Sequence, residues 1–247
     1  MFTIEARDEL RDRVLEMARE DRRVVAAAEV GSLAVGEGDR WSDIDLAFAV
    51  DDAAGATEVL ADWTPTLVEE LGGIELFDLT VGPIIYRVFM FPDCLQLDLS
   101  FTSVSEFSPR SPRFRLVFGQ AGEMQLPEPP SAAGLLGWAV MYATHARRCI
   151  ERELWWQAEH CISSMRQHAL GFACRRRDLP ADYGRGLDRL SSEVRHRFAS
   201  SLVLAIEPDS LKDALKDCVA ALSAECAEDD QVDGAIRDRL LETVAGI

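Results

Sequence analysis

The sequence predicts an α+β protein in two parts, a strand-bearing N-terminal domain over residues 1–126 and an all-helical domain over 127–247. Three observations predict it. Short apolar or alternating runs of strand length are confined to residues 24–101. The stretch GQAGEMQLPEPP at 119–130 holds three prolines and two glycines, the composition of a boundary. Beyond it, the long segments repeat apolar residues at helical spacing, with none of comparable strand character.

Taken in order, Ile4 to Arg23 sets Leu10, Val14, Leu15 and Met17 among charges after Thr3, an amphipathic helix with its cap. Val24 to Val30 is an apolar run ending at Gly31, a buried strand. Trp41 to Val50 alternates Ile44, Leu46, Phe48 and Val50 with Asp43, Asp45, Ala47 and Ala49, a strand with one oily and one small or acidic face. Glu58 to Leu71 reads as a helix broken at Pro65 and closed by Gly72-Gly73. Ile74–Leu79, Ile84–Phe91 and Leu95–Phe101 read as strands, the last two joined by a turn at Pro92-Asp93. Helices are expected over Ser131–Glu153, Trp155–Arg177, Ser191–Ile206, Asp209–Ala227 and Asp233–Ala245, with Ser131, Ser191 and Asp209 near their starts.

Composition narrows the function classes. Hydrophobic residues make up 48% and charged residues 28%, which suits a folded globular chain. Charged residues interrupt every apolar stretch before membrane-span length, and MFTIEARDEL lacks the basic-then-apolar order of a secretory signal. A cytoplasmic protein with no membrane partner is expected. Six cysteines occur without a C-x-x-C pair, and in a reducing compartment they read as small core residues. The net charge is −17, with 23 acids against 11 bases in residues 1–118. Such a surface argues against duplex nucleic acid as partner and is compatible with a small cationic substrate.

The chemistry-bearing pattern is Gly31-Ser32, ten residues, then Asp43-Ile44-Asp45, followed later by Asp98. Gly31 permits a sharp turn and a close approach of phosphate, and Ser32 adds a hydroxyl donor where a short helix would open. Asp43 and Asp45, two apart on a strand, project from one face and can share divalent cations. In Leu95-Gln96-Leu97-Asp98-Leu99-Ser100-Phe101 the leucines and Phe101 form one face, and Gln96, Asp98 and Ser100 the other. A lone carboxylate in so apolar a strand is costly unless a cation compensates it. Gly-Ser alone carries little weight, and Asp-x-Asp alone could be a solvated strand end. Together and in this order they point to metal-assisted chemistry on a triphosphate.

This arrangement resembles the nucleotidyltransferase superfamily that shares the polymerase-beta-type palm, over about residues 24–101. The trailing helices resemble those of bacterial aminoglycoside and lincosamide nucleotidyltransferases. The resemblance implies a mixed sheet flanked by helices, two Mg2+ ions, and ATP or another nucleoside triphosphate bound between the two lobes. It makes Gly31 and Ser32 the phosphate-contacting turn, Asp43 and Asp45 metal ligands, and Asp98 a third carboxylate that ligates metal or acts as general base. Many small members carry Ala-Arg-Gly after the Gly-Ser, whereas this chain has Ala34-Val35-Gly36, and Arg40 is the nearby substitute.

In the helical part, Arg166 and Arg185 are candidate nucleotide-binding cations, with His168 and Arg175-Arg176-Arg177 near them. The bland alternative is an arginine face paired with the acidic lobe. Glu151, Glu153 and Glu159 could serve a cationic substrate or lie on an exposed helix face, and Trp155-Trp156 suits packing between helices. The expected activity is transfer of a nucleoside monophosphate, AMP from ATP, to a hydroxyl of a small molecule such as an aminoglycoside or lincosamide antibiotic. AMP transfer to a protein and a catalytically silent, antitoxin-like binding role are the alternatives.

Overall fold

The computed structural model describes residues 1–229 and 232–247. Helix α1 (Ile4–Glu20) begins where the Thr3 side chain accepts a hydrogen bond from the Ala6 N–H, and it buries Val14, Leu15, Met17 and Ala18. It stops short of the expected Arg23, where Asp21 accepts hydrogen bonds from the Arg23 guanidinium and the Trp63 indole. Strands β1 (Val24–Val30) and β2 (Ile44–Val50) follow. Helix α2 (Ala56–Pro65) is not broken at Pro65. It continues as one π turn over Thr66–Glu70, closed by Leu71 N–H to Thr66 O, a widening that tolerates the missing proline N–H.

Strands β3 (Ile74–Val81), β4 (Ile84–Phe91), β5 (Leu95–Ser103) and β6 (Phe114–Phe118) complete a six-stranded sheet in the order β3-β4-β5-β2-β1-β6. The β2–β5 pair is parallel and the remaining pairs are antiparallel, so the sheet is mixed as expected. The strand at Phe114–Phe118 is an addition to those the sequence pattern predicts. One sheet face carries Ile44, Leu46 and Phe48 of β2, Leu97, Leu99 and Phe101 of β5, and Phe89 and Phe91 of β4, all in the buried core with residues of α1 and α2. Phe48, Trp63 and Phe101 meet ring to ring at 5.1–5.3 Å. On the opposite face, Ala26, Ala28 and Ala49 pack under Phe107.

Met1–Pro127 forms one compact unit and Glu128–Ile247 a second. The second consists of α3 (Ala132–Glu151), α4 (Trp155–Arg175), α5 (Ser192–Ala199), α6 (Pro208–Ala227) and α7 (Gly234–Glu242). Ser131, Ser191 and Asp233 cap their helices by accepting backbone N–H bonds. Helix α5 ends at Ala199 rather than Ile206, where the buried Ser201 hydroxyl turns back to donate to Phe198 O. Trp155 packs against the helical core, but Trp156 is exposed, so only the first of the pair does the packing expected of both. Five of the six cysteines are buried and Cys94 is exposed. Among the described residues no helix is long and apolar enough to cross a membrane.

Candidate metal centre

Parallel pairing of β2 with β5 places Asp45 directly beside Asp98, and Ile44 beside Leu97. Residues in register on neighbouring strands share a face, so the apolar partners go to the helix-covered side and both carboxylates to the other. Asp43 lies one residue before β2, in the loop rather than on the strand as expected. Its carboxylate still joins the other two: ligand oxygens of Asp43, Asp45 and Asp98 lie within 4.8 Å of one another, each residue half-buried.

Burial is the chief cause of an Asp98 pKa above the ordinary carboxylate value. The Gln96 side-chain amide opposes it by donating to Asp98 Oδ1 at 2.8 Å, and the negative charge of Asp43 adds to it. Three half-buried carboxylates at this separation repel unless a cation sits among them, and an all-oxygen donor set suits a hard divalent ion. The residues present therefore fit the Mg2+ that the sequence resemblance implies.

Gly31 supports the cluster in a way the sequence did not indicate. It sits at φ +73°, and a Cβ there would lie 2.2 Å from Asp45 Oδ2. Its own N–H is taken, donating to Arg113 O at 3.1 Å. The glycine thus makes room for a carboxylate. The Ser32 hydroxyl donates to Ser42 Oγ at 3.1 Å, and Ser42 accepts the Asp39 N–H at 3.0 Å. This ties the glycine turn to the loop that presents Asp43. The expected helix at Ser32 is a single 3-10 turn, Leu33–Val35, ended by Gly36 at φ +71°. Arg40, expected from the resemblance to stand in for a missing arginine, stacks on Trp41 at 4.3 Å.

Arg166 and Arg185 belong to the helical unit. Arg166 is tied down, donating to Ser201 O at 2.8 Å and to Ser163 Oγ at 3.0 Å. Arg185 is exposed and lies over the Tyr183 ring at 5.4 Å. Arg176 and Arg177 pair with Glu225 and Glu228, acids of their own unit. Glu151 pairs with Arg147, and Glu159 accepts from the Ser163 hydroxyl. Gln96 and Ser42 are the positioning residues that sequence reasoning missed. Gln96 stands two residues from Asp98 on the same strand face, a spacing that signals its role.

No family model matches the chain, and no curated protein matches it. Solved structures similar to it include two proteins named for nucleotide chemistry. One is an aminoglycoside 6-adenyltransferase from Bacillus subtilis, at 12% identity over 95% of this chain and 89% of that one, with a TM-score of 0.35. The other is the Elizabethkingia meningoseptica CdnE cyclic dinucleotide synthase with GTP and Apcpp, at 12% identity over 96% of this chain and 89% of that one, with a TM-score of 0.32.

Proposed function

We propose that this chain is a metal-dependent nucleotidyltransferase that moves a nucleoside monophosphate, AMP from ATP, onto a hydroxyl of a small molecule. The observation that carries the reading is the convergence of Asp43 from the loop before β2, Asp45 of β2 and Asp98 of β5, against a glycine turn with no space for a side chain. Two Mg2+ ions held by these carboxylates would neutralise the triphosphate and lower the charge barrier to attack. Asp98, whose pKa burial raises, is suited to receive a proton. The acceptor oxygen forms a bond to the α-phosphorus as the bond from that phosphorus to its bridging oxygen breaks. Pyrophosphate leaves, and the acceptor's proton passes to Asp98. Gln96 holds one oxygen of Asp98 and so fixes the carboxyl's orientation. Both Mg2+ and ATP are abundant in the cytoplasm, the compartment this reading implies.

The test is to incubate the protein with each labelled triphosphate and Mg2+ against a panel of aminoglycosides and lincosamides, and to look for adducts by mass. Asp45→Asn is expected to abolish Mg2+-dependent nucleotide binding and transfer while leaving the fold intact. Undiminished turnover in that variant overturns the mechanism.

A further inference from the structure

The face that carries the carboxylates does not end at β5. Across the β4–β5 pair, Val88 stands opposite Asp98, Met90 opposite Gln96, and Tyr86 opposite Ser100. Across β3–β4, Phe77 stands opposite Val88 and Leu79 opposite Tyr86. A row therefore runs Asp98, Val88, Phe77 on one side of the sheet, with Leu79 and Tyr86 beside it. The same side of β1 and β2 is covered by Phe107. On β3, in contrast, Phe77 is 55% and Leu79 52% exposed.

A β-bulge produces this surface. The register shifts between Glu75 and Phe77, so Leu76 is extra. With simple alternation Asp78 would face the side of Asp98, and Phe77 and Leu79 would face the helices. The bulge reverses this. Asp78 turns to the helix side, where Arg87 donates to both its oxygens at 2.6 Å, and Glu75 lies 3.4 Å from the same guanidinium. The surface next to the carboxylates is thereby cleared of charge and given rings and branched chains.

We infer that the exposed side chains Phe77 and Leu79 of β3, beyond the buried Val88 of β4, seat an uncharged alkyl or aromatic portion of the hydroxyl acceptor. The inference rests on the transfer reading above and refines its substrate class. The Gly31-Ser32 turn lies at the end of β1, on the far side of β2 from β5. Under that reading the triphosphate occupies the β1–β2 flank, and the acceptor reaches the α-phosphorus across Asp98 from the β4 flank. A polycationic aminosugar finds no carboxylate on Phe77 and Leu79, whereas an acceptor with an apolar portion buries that portion against these two side chains.

The experiment uses the full chain, a Phe77→Ser/Leu79→Ser double variant and Asp45→Asn, with Mn2+ as metal probe and the neutral fluorophore N-phenyl-1-naphthylamine as apolar probe. The wild type is expected to bind the fluorophore saturably, and the double variant about tenfold more weakly, the scale of losing two apolar contacts. Mn2+ affinity and the thermal midpoint are expected to be equal in those two proteins. Bound Mn2+ is expected to broaden the fluorophore's proton resonances in the wild type and not in Asp45→Asn. Absent Mn2+ binding in the wild type, or Mn2+ binding unaltered by Asp45→Asn, overturns the metal site and the transfer reading with it. With Mn2+ bound as expected, fluorophore affinity unchanged by the double substitution, or resonances left sharp, overturns the acceptor floor alone. A wild-type dimer that the double variant converts to monomer by light scattering assigns the face to a second copy and likewise overturns it. A fall of more than about 5 °C in the variant's thermal midpoint shows the face packed within the protein, and that too overturns the acceptor floor.

Discussion

Glu225 of α6 is fully buried, and three guanidinium groups meet it: Arg177 at 2.7 Å, Arg176 at 2.9 Å and Arg197 at 3.4 Å. Asp98 of β5 is half-buried, accepts a hydrogen bond from the neutral Gln96 amide, and feels the charge of another carboxylate, Asp43. Both regions bring acids out of water, and in the first, three arginines of the same unit surround the acid. Glu225 ties the end of α4 to α5 and α6, so its charge serves to hold helices together. Under the transfer reading proposed above, a cation entering among Asp43, Asp45 and Asp98 relieves their repulsion, and that separates a site from a strut.

The contrast breaks first if the two kinds of carboxylate respond alike to removal. Asp98→Asn is expected to slow transfer by about 10²–10⁴-fold, the usual contribution of a positioned general base. Triphosphate affinity is expected to remain substantial, and stability to be unchanged or raised, since one of three repelling charges is gone. Measuring nucleotide affinity and single-turnover transfer on the same protein decides the role. A parallel collapse of affinity and rate makes Asp98 a metal ligand alone.

Glu225→Ala is expected to do the reverse. Removing one partner of a buried ion-paired group costs about 3–5 kcal/mol, because Arg176, Arg177 and Arg197 are left with less compensation. Urea unfolding followed by far-UV circular dichroism should show the loss, while Mg2+-dependent nucleotide binding by the folded protein stays as it was. A stability change within ~0.5 kcal/mol would place Glu225 among the dispensable surface charges and erase the distinction.

Much of this contrast is legible in the sequence. The alternation in Ile44–Val50 and Leu95–Phe101 sets which face Asp45 and Asp98 take, and the Thr3, Ser131 and Ser191 caps mark helix starts. What escapes a sequence reading depends on contacts between distant residues. Arg176 and Glu225 are 49 positions apart, so nothing local pairs them. The five-residue β6 carries Arg115 amid its apolar residues and gains its identity only from pairing with β1. The bulge at Leu76 falls where the alternation of Ile74–Val81 changes phase, at the adjacent apolar pair Leu76-Phe77, a signal the strand reading passed over and the register against β4 explains. Gly31 reads as a phosphate turn, but Asp45 is the group that needs the missing Cβ.

The mildest test concerns Asp21, a carboxylate of the sheet unit that is treated in the manner of Glu225. It accepts from Arg23 Nε and Nη2 at 3.0 and 2.8 Å, from the Arg23 backbone N–H at 3.0 Å, and from Trp63 Nε1 at 3.0 Å. These bonds join the end of α1 to β1 and α2. The Arg23 guanidinium chiefly, with Trp63 assisting, lowers the Asp21 pKa from 3.8 to about 2. Because the folded value is the lower one, the ionised form stabilises the fold fully above the unfolded pKa. That stabilisation drains as pH falls from about 4 and is gone below about 2. Arg23 is partly exposed, so solvent screening reduces the contribution to about 1–2 kcal/mol. Asp21→Asn should therefore be less stable than the wild type by that amount at pH 7, with the gap closing between pH 4 and pH 2. Urea midpoints of the two proteins across that range provide the measurement. A gap that stays constant with pH would mean that Asp21 acts through packing and neutral hydrogen bonds, and that arginine pairing is not what makes a carboxylate such as Asp21 structural.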